Sequence, residues 1–111
     1  LVGIATTRQY QHVYKHGYRC RNRELISYFA ANDTFSCRLG VITSKKQMSK
    51  AVYRNQLKRR IKEWYRIHQQ SLPFGDFVII ATHQAYKLDS KELRACLDGL
   101  IQKLVKHCKY C

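Results

Sequence analysis

The chain has 111 residues, of which 45% are hydrophobic, and a net charge of +14. This length predicts one domain over residues 1–111. The absence of an apolar run of about 18 residues excludes a membrane-spanning helix. No signal peptide is visible, because residues 1–5 are too short for its apolar core; since the chain opens on Leu and not Met, an earlier start with a cleaved segment stays an open alternative. The excess of positive charge indicates an acidic partner, for which nucleic acid suits the pattern better than an anionic membrane.

Sequence patterns in the first part of the chain predict a helix followed by strands. The threonine pair at positions 6–7 can cap a short helix, which stops at Gly17. Residues 23–31 and 38–43 are predicted strands with a turn at 32–33 between them, and residues 18–21 can form a short extra strand. The side chains that share one face of the helix are Tyr10, Val13 and Tyr14.

A strongly basic helix is predicted in the middle of the chain, beginning after Ser49 and ending at residues 71–75, where Pro and Gly prevent its continuation. Residues 45–66 hold nine Lys or Arg against one acid, a net charge of +8. This face could be merely solvated, but its mixture of Arg and Lys also suits a polyphosphate backbone. The apolar residues at helical spacing, which predict a buried stripe, are Tyr53, Leu57, Ile61 and Trp64.

The remaining patterns complete an α+β fold. Residues 76–82 are apolar on both faces, which predicts a central strand. Asp89 and Glu92 have the spacing of a capping box, and the last helix that follows has an apolar stripe to pack on the sheet. We predict a two-layer αβββαβα sandwich in which helices cover one face of a small antiparallel or mixed sheet.

The acids, histidines and cysteines do not form a catalytic pattern. No two carboxylates have the spacing of a two-metal site, and His12 and His16, at i and i+4, have no evident third ligand. The tail residues His107, Cys108 and Cys111 could bind zinc, but a second Cys pair is missing, and free thiols are the simpler expectation. We therefore predict no catalytic residue and no metal ligand in the protein itself.

The basic helix and its flanks resemble the bacterial ribonuclease P protein component. The family signature is a Lys-Lys pair, then Arg-Asn-Arg, an aliphatic residue, Lys-Arg, and an acid before an aromatic-Arg end. The N-terminal aromatic helix and the strands on both sides of the basic helix match in the family's order, so the resemblance spans nearly the whole chain. One departure is Gln56, which replaces the second Arg of the motif. The matching segments are Lys45-Lys46, Arg54-Asn55-Gln56-Leu57-Lys58-Arg59 and Glu63-Trp64-Tyr65-Arg66.

The resemblance implies a cytoplasmic subunit that binds a catalytic RNA and the 5′ leader of precursor tRNA, while the RNA and its Mg²⁺ perform the endonucleolytic cleavage. It implies no membrane, no required protein partner, no protein-bound cofactor and a left-handed β-α-β crossover, a hand that general rules would not predict. The implied contacts to catalytic RNA are Lys45, Lys46, Arg54, Asn55, Lys58, Arg59, Lys62 and Arg66. The implied leader contacts are Tyr10, Tyr14 and Tyr28, which could also be core residues.

Two other functions remain open at this point. A non-catalytic RNA-binding or ribosome-assembly protein would have a similar charge and fold, and a self-contained nuclease would cleave RNA unaided. Cleavage of precursor tRNA with and without a catalytic RNA distinguishes all three.

Overall fold

The computed structural model describes residues 2–4, 6–32 and 36–109. Two 3₁₀ turns, Gln69–Ser71 and His83–Lys87, follow the second helix and the last strand. Of the helices that the structure describes, none combines the length and the apolar character that a membrane span requires. The helices and strands are, in chain order, β1 (Val2–Gly3), α1 (Thr7–His16), β2 (Tyr18–Arg21), β3 (Leu25–Ala31), β4 (Cys37–Ile42), α2 (Ala51–His68), β5 (Gly75–Ala81) and α3 (Ser90–Lys109).

The strands form one mixed sheet in the order β1-β4-β5-β3-β2. β4 pairs in parallel with both β1 and β5, whereas β3 pairs antiparallel with β5 and β2. The mixed α+β fold and the central position of β5 are therefore confirmed. β4, α2 and β5 form a β-α-β unit, whose left hand stays a prediction of the family resemblance. The two-residue strand β1 was not predicted, because so short a strand has no measurable alternation.

Helices cover both faces of the sheet, so the prediction that they lie on one face is wrong for α1. Alternation along β5 sends Phe77 and Ile79 into a core with α2 and α3. Val78, between them, joins Val13 of α1 in a smaller core on the opposite face. Amphipathic periodicity shows that a helix has a buried side, but it does not show which face of the sheet that side covers.

The ends of α1 and α3 follow from their predicted caps. Thr6 and Gln9 form a capping box at the start of α1. Gly17 ends this helix against the carbonyl oxygens of Val13 and Phe29, where any Cβ would collide with the backbone. At α3, the side chains of Asp89 and Glu92 each accept a hydrogen bond from the other residue's backbone N–H, at 2.7 and 3.1 Å.

α2 differs from its predicted start and its predicted stripe. Lys50, not Ser49, is the N-cap, and its side chain makes no capping hydrogen bond. Leu57, Ile61 and Trp64 are buried as predicted, but Tyr53 is 46% exposed, and Tyr65, outside the predicted stripe, is fully buried. The expectation for Tyr53 is wrong because periodicity gives the direction of a buried face and not the point along the helix where the sheet begins to cover it. The residue that was missed, Tyr65, packs its ring 5.3 Å from that of Phe77.

Candidate nucleic-acid interface

One side of α2 and the β1–β4 edge of the sheet form a groove with a volume of about 630 Å³. The groove lies along the helix because its lining side chains recur every three or four residues. Gly3 and Leu39 form the wall opposite α2. The α2 residues that line it are Asn55, Lys58, Arg59, Lys62, Glu63 and Arg66. Of the eight predicted RNA contacts, five are thus brought together: Asn55, Lys58, Arg59, Lys62 and Arg66.

The cations of this groove differ in how strongly they are paired. Arg66 donates from Nε and Nη2 to both carboxylate oxygens of Glu63, with an Nε–Oε2 distance of 3.0 Å. This hydrogen bonding lowers the pKa of the Glu63 carboxyl. Among the described acids, none forms a salt bridge with Lys58, Arg59 or Lys62. The uncompensated positive charge is therefore concentrated on these three side chains.

The remaining predicted RNA contacts lie before or at the start of α2. Arg54 donates from Nη1 to the carbonyl oxygens of Met48 and Ser49, both at 2.8 Å. Its guanidinium therefore holds the segment that enters the helix and does not line the groove. Lys45 and Lys46 are exposed in the preceding turn, where the backbone N–H of Lys46 donates to Ser44 Oγ at 3.1 Å.

The three predicted leader contacts gather on the opposite face of the sheet, beneath and beside α1. The rings of Tyr14 and Tyr28 meet edge to face with centroids 5.0 Å apart, and Tyr14 remains 39% exposed. Partial burial, helped by the neighbouring Tyr10 and Tyr28, raises the pKa of the Tyr14 hydroxyl above its ordinary value. Tyr10, Tyr14 and Tyr28 thus form what we call the tyrosine face.

Gly40 of β4 makes the tyrosine face possible and was not recognised from the sequence. The ring of Tyr10 lies directly over Gly40, so close that an added Cβ would collide with its ring atoms. A glycine inside a strand often marks such a close approach, and this was the available signal. Leu39, the preceding residue, faces α2, so neighbouring positions of β4 support the two different surfaces.

The described carboxylates are engaged in structural contacts. Asp76, only 2% exposed, accepts two hydrogen bonds from Arg38, at 2.6 and 2.7 Å, and one from Asn32 at 2.8 Å. Asp98 accepts from Trp64 Nε1 at 3.2 Å. Within the described residues, no three His, Cys, Asp or Glu side chains lie together as a metal site would require. Of the tail residues considered for zinc, Cys111 and the side chains of His107 and Cys108 lie outside the described part of the chain.

This arrangement defines a basic α+β protein with a cationic helix on one side of a mixed sheet and aromatic rings on the other. A family model described as Ribonuclease P matches residues 2–105, and the chain belongs to this family of ribonuclease P protein components. Membership gives the chain an RNA partner in a ribonucleoprotein that has endoribonuclease activity.

Relatives and solved structures agree over almost the whole chain. The ribonuclease P protein component of Coxiella burnetii is 35% identical over 106 residues, which cover 96% of this chain and 88% of that protein. The RNase P protein of Staphylococcus aureus superposes with a TM-score of 0.87 and 28% identity, covering 94% of this chain and 95% of that one. The RNase P protein of Thermotoga maritima gives a TM-score of 0.81 and 26% identity, covering 93% and 97%.

Proposed function

We propose that this chain binds the catalytic RNA of ribonuclease P through the α2 groove and the 5′ leader of precursor tRNA through the tyrosine face. The observation that carries the proposal is the row of cations Lys58, Arg59 and Lys62 in a single groove, where no described acid forms a salt bridge with them. Such a row repels itself until a polyanion approaches, and guanidinium groups match phosphate oxygens in a bidentate geometry.

Asn55 adds a different chemistry to the same groove. Its amide offers both donors and acceptors, which can bond base edges or ribose hydroxyls, whereas Lys and Arg only donate. Recognition of RNA combines phosphate contacts with contacts to 2′-hydroxyls and bases. A groove that contains Asn55 beside three cations therefore suits a folded RNA better than a simple polyanion.

The tyrosine face suits an unpaired strand. Aromatic rings bind single-stranded RNA by stacking on bases, and stacking tolerates any sequence. Tyr14 presents part of its ring to solvent and is held by Tyr28. A leader bound as an unpaired strand, whatever its sequence, fits this chemistry.

We assign the cleavage chemistry to the RNA and its Mg²⁺, in the cytoplasm. Mg²⁺ is held through one or two carboxylates with several waters, and the buried carboxylate of Asp76 already accepts three hydrogen bonds from Arg38 and Asn32. Glu63, the acid in the α2 groove, is paired with Arg66. Because these two carboxylates already have partners within the protein, we assign the Mg²⁺ to the RNA.

Reconstitution tests the proposal. Precursor tRNA is incubated with protein alone, with the cognate catalytic RNA alone at low Mg²⁺, and with both. We expect leader removal in the combined reaction to exceed that of the RNA alone, and none with protein alone. Cleavage by protein alone would indicate a self-contained nuclease, and no stimulation of the RNA would indicate a general RNA-binding protein.

A further inference from the structure

Part of the sheet face that carries α1 is left open. Strand pairing places Ile42, Ile80 and Ile26 side by side on β4, β5 and β3, and all three are only partly buried. α1 covers the neighbouring row, where Val13 packs on Val78 and Tyr10 lies over Gly40. The three isoleucines therefore form an apolar strip beside the tyrosine face.

The edge strand β2 places one arginine beside the tyrosine face and another beside the isoleucine strip. Arg19 pairs with Tyr28 and Arg21 pairs with Ile26. Cys20, between them, points into the core on the other face, where its Sγ lies 3.9 Å from the carbonyl oxygen of Leu100. Because side chains alternate along a strand, Arg19 and Arg21 project on the side of α1, and both are exposed.

The other end of the strip meets the basic segment before α2. Lys45 and Lys46 follow β4 by a few residues, and the α2 groove lies along the β1–β4 edge. Neighbouring strands are about 4.8 Å apart, so β4 and β2 are separated by roughly 14 Å. This distance spans only about two or three nucleotides of an extended single strand, and the strip between has an apolar floor and cations at both ends.

We propose that Arg19 and Arg21 bind phosphates of the leader beyond the nucleotides that stack on the tyrosine face. The inference rests on the proposed function. The cleavage site must lie near the catalytic RNA, and the α2 groove places that RNA at the β4 side. The leader therefore crosses the isoleucine strip from β4 towards β2, and its nucleotides farther from the cleavage site reach the two arginines, whose guanidinium groups bind phosphate in a bidentate way.

A simpler role for these arginines is to protect an exposed edge strand from pairing with other chains. The two roles differ in their dependence on leader length. Edge protection affects solubility and gives the same RNA affinity for every substrate. Phosphate binding at the far end of the strip affects only substrates whose leader is long enough to reach β2.

The test uses the reconstituted holoenzyme with the double variant Arg19→Ala/Arg21→Ala. Affinity is measured for mature tRNA and for precursors with a two-nucleotide and a ten-nucleotide leader. The matched control is Lys91→Ala/Arg94→Ala, which removes the same charge from exposed positions of α3 on the other side of the sheet. Arg19→Lys/Arg21→Lys keeps the charge, and a melting curve of each variant verifies the fold.

We expect the alanine variant to bind the precursor with the long leader about tenfold more weakly. The slope of log K against log salt should become less steep by roughly 1.4, the value for two phosphates of a single strand. The short leader, mature tRNA and the control variant should be unaffected, and the lysine variant should recover part of the loss. Equal losses for both leader lengths, or no loss, would overturn the inference. The proposed function fails separately, if the wild-type holoenzyme does not prefer a leader-bearing substrate.

Discussion

Replacing Lys58 and Arg59 together by alanine should weaken binding of the catalytic RNA and leave the fold intact. Both side chains line the α2 groove, and surface substitutions change the free energy of unfolding by about 0.5 kcal/mol or less. If the wild-type protein neutralises about six phosphates, log K falls against log salt with a slope of roughly −4 for single strands. Loss of two contacts should reduce this slope by roughly 1.4 for single strands and 1.8 for a duplex.

Substitutions on the buried side of α2 should instead destabilise the fold. Ile61 is fully buried and Leu57 is 5% exposed, so truncating either to alanine leaves a cavity and should cost about 2–5 kcal/mol. Binding is measured by filter retention over a range of KCl concentrations, and stability by urea unfolding. An unfolded Lys58→Ala/Arg59→Ala variant, an unchanged salt slope, or a harmless Leu57→Ala would show that the charged and buried sides of α2 are assigned wrongly.

Three further predictions concern the tyrosine face and the core. Tyr14→Ala should weaken binding of leader-bearing precursor tRNA by about tenfold or more, whereas binding of mature tRNA should not change. Tyr14→Phe should retain most of the affinity for the precursor. Equal losses of affinity for both RNAs, together with a lower Tm, would assign Tyr14 to the core instead. Gly40→Ala should displace the ring of Tyr10 and weaken leader binding, and a double-mutant cycle with Tyr10→Ala should show that the two effects are not additive. Burial raises the pKa of the Cys37 thiol from 9.0 to about 11. The stability that this neutral thiol contributes is therefore present below pH 9 and is lost as the pH rises through 11. Cys37→Ala should flatten this part of the Tm–pH curve, and an unchanged curve would contradict the assignment.

The sequence was most informative where local chemistry decides the structure. The capping boxes at Thr6 and Asp89 depend on residues within one turn of each other, and the structure contains both. The stop at Gly17 was also predicted, although the crowding that favours glycine there includes the more distant Phe29. The doubly apolar run of β5 indicated a central strand because only a central strand is covered on both faces.

Features that depend on distant parts of the chain were less accessible. The side of the sheet chosen by α1 follows from Val13 packing on Ala30 and Val78, and no local pattern contains that information. Likewise, Arg54 belongs to the basic motif, yet its hydrogen bonds to Met48 and Ser49 arise from the path of the preceding segment. The sequence predicted the cations of the candidate site, but it could not distinguish the cations that line the groove from Arg54, which holds the backbone before α2.

The central claim is that the two faces of the sheet contact two different RNA segments, and site-specific cross-linking tests it most directly. The photoreactive residue p-benzoylphenylalanine is placed at position 62, in the α2 groove, or at position 14, on the tyrosine face, in a holoenzyme bound to precursor tRNA. We expect substitution of Lys62 to give cross-links to the catalytic RNA and substitution of Tyr14 to give cross-links to the leader. Cross-links from both positions to the same RNA segment would contradict the account.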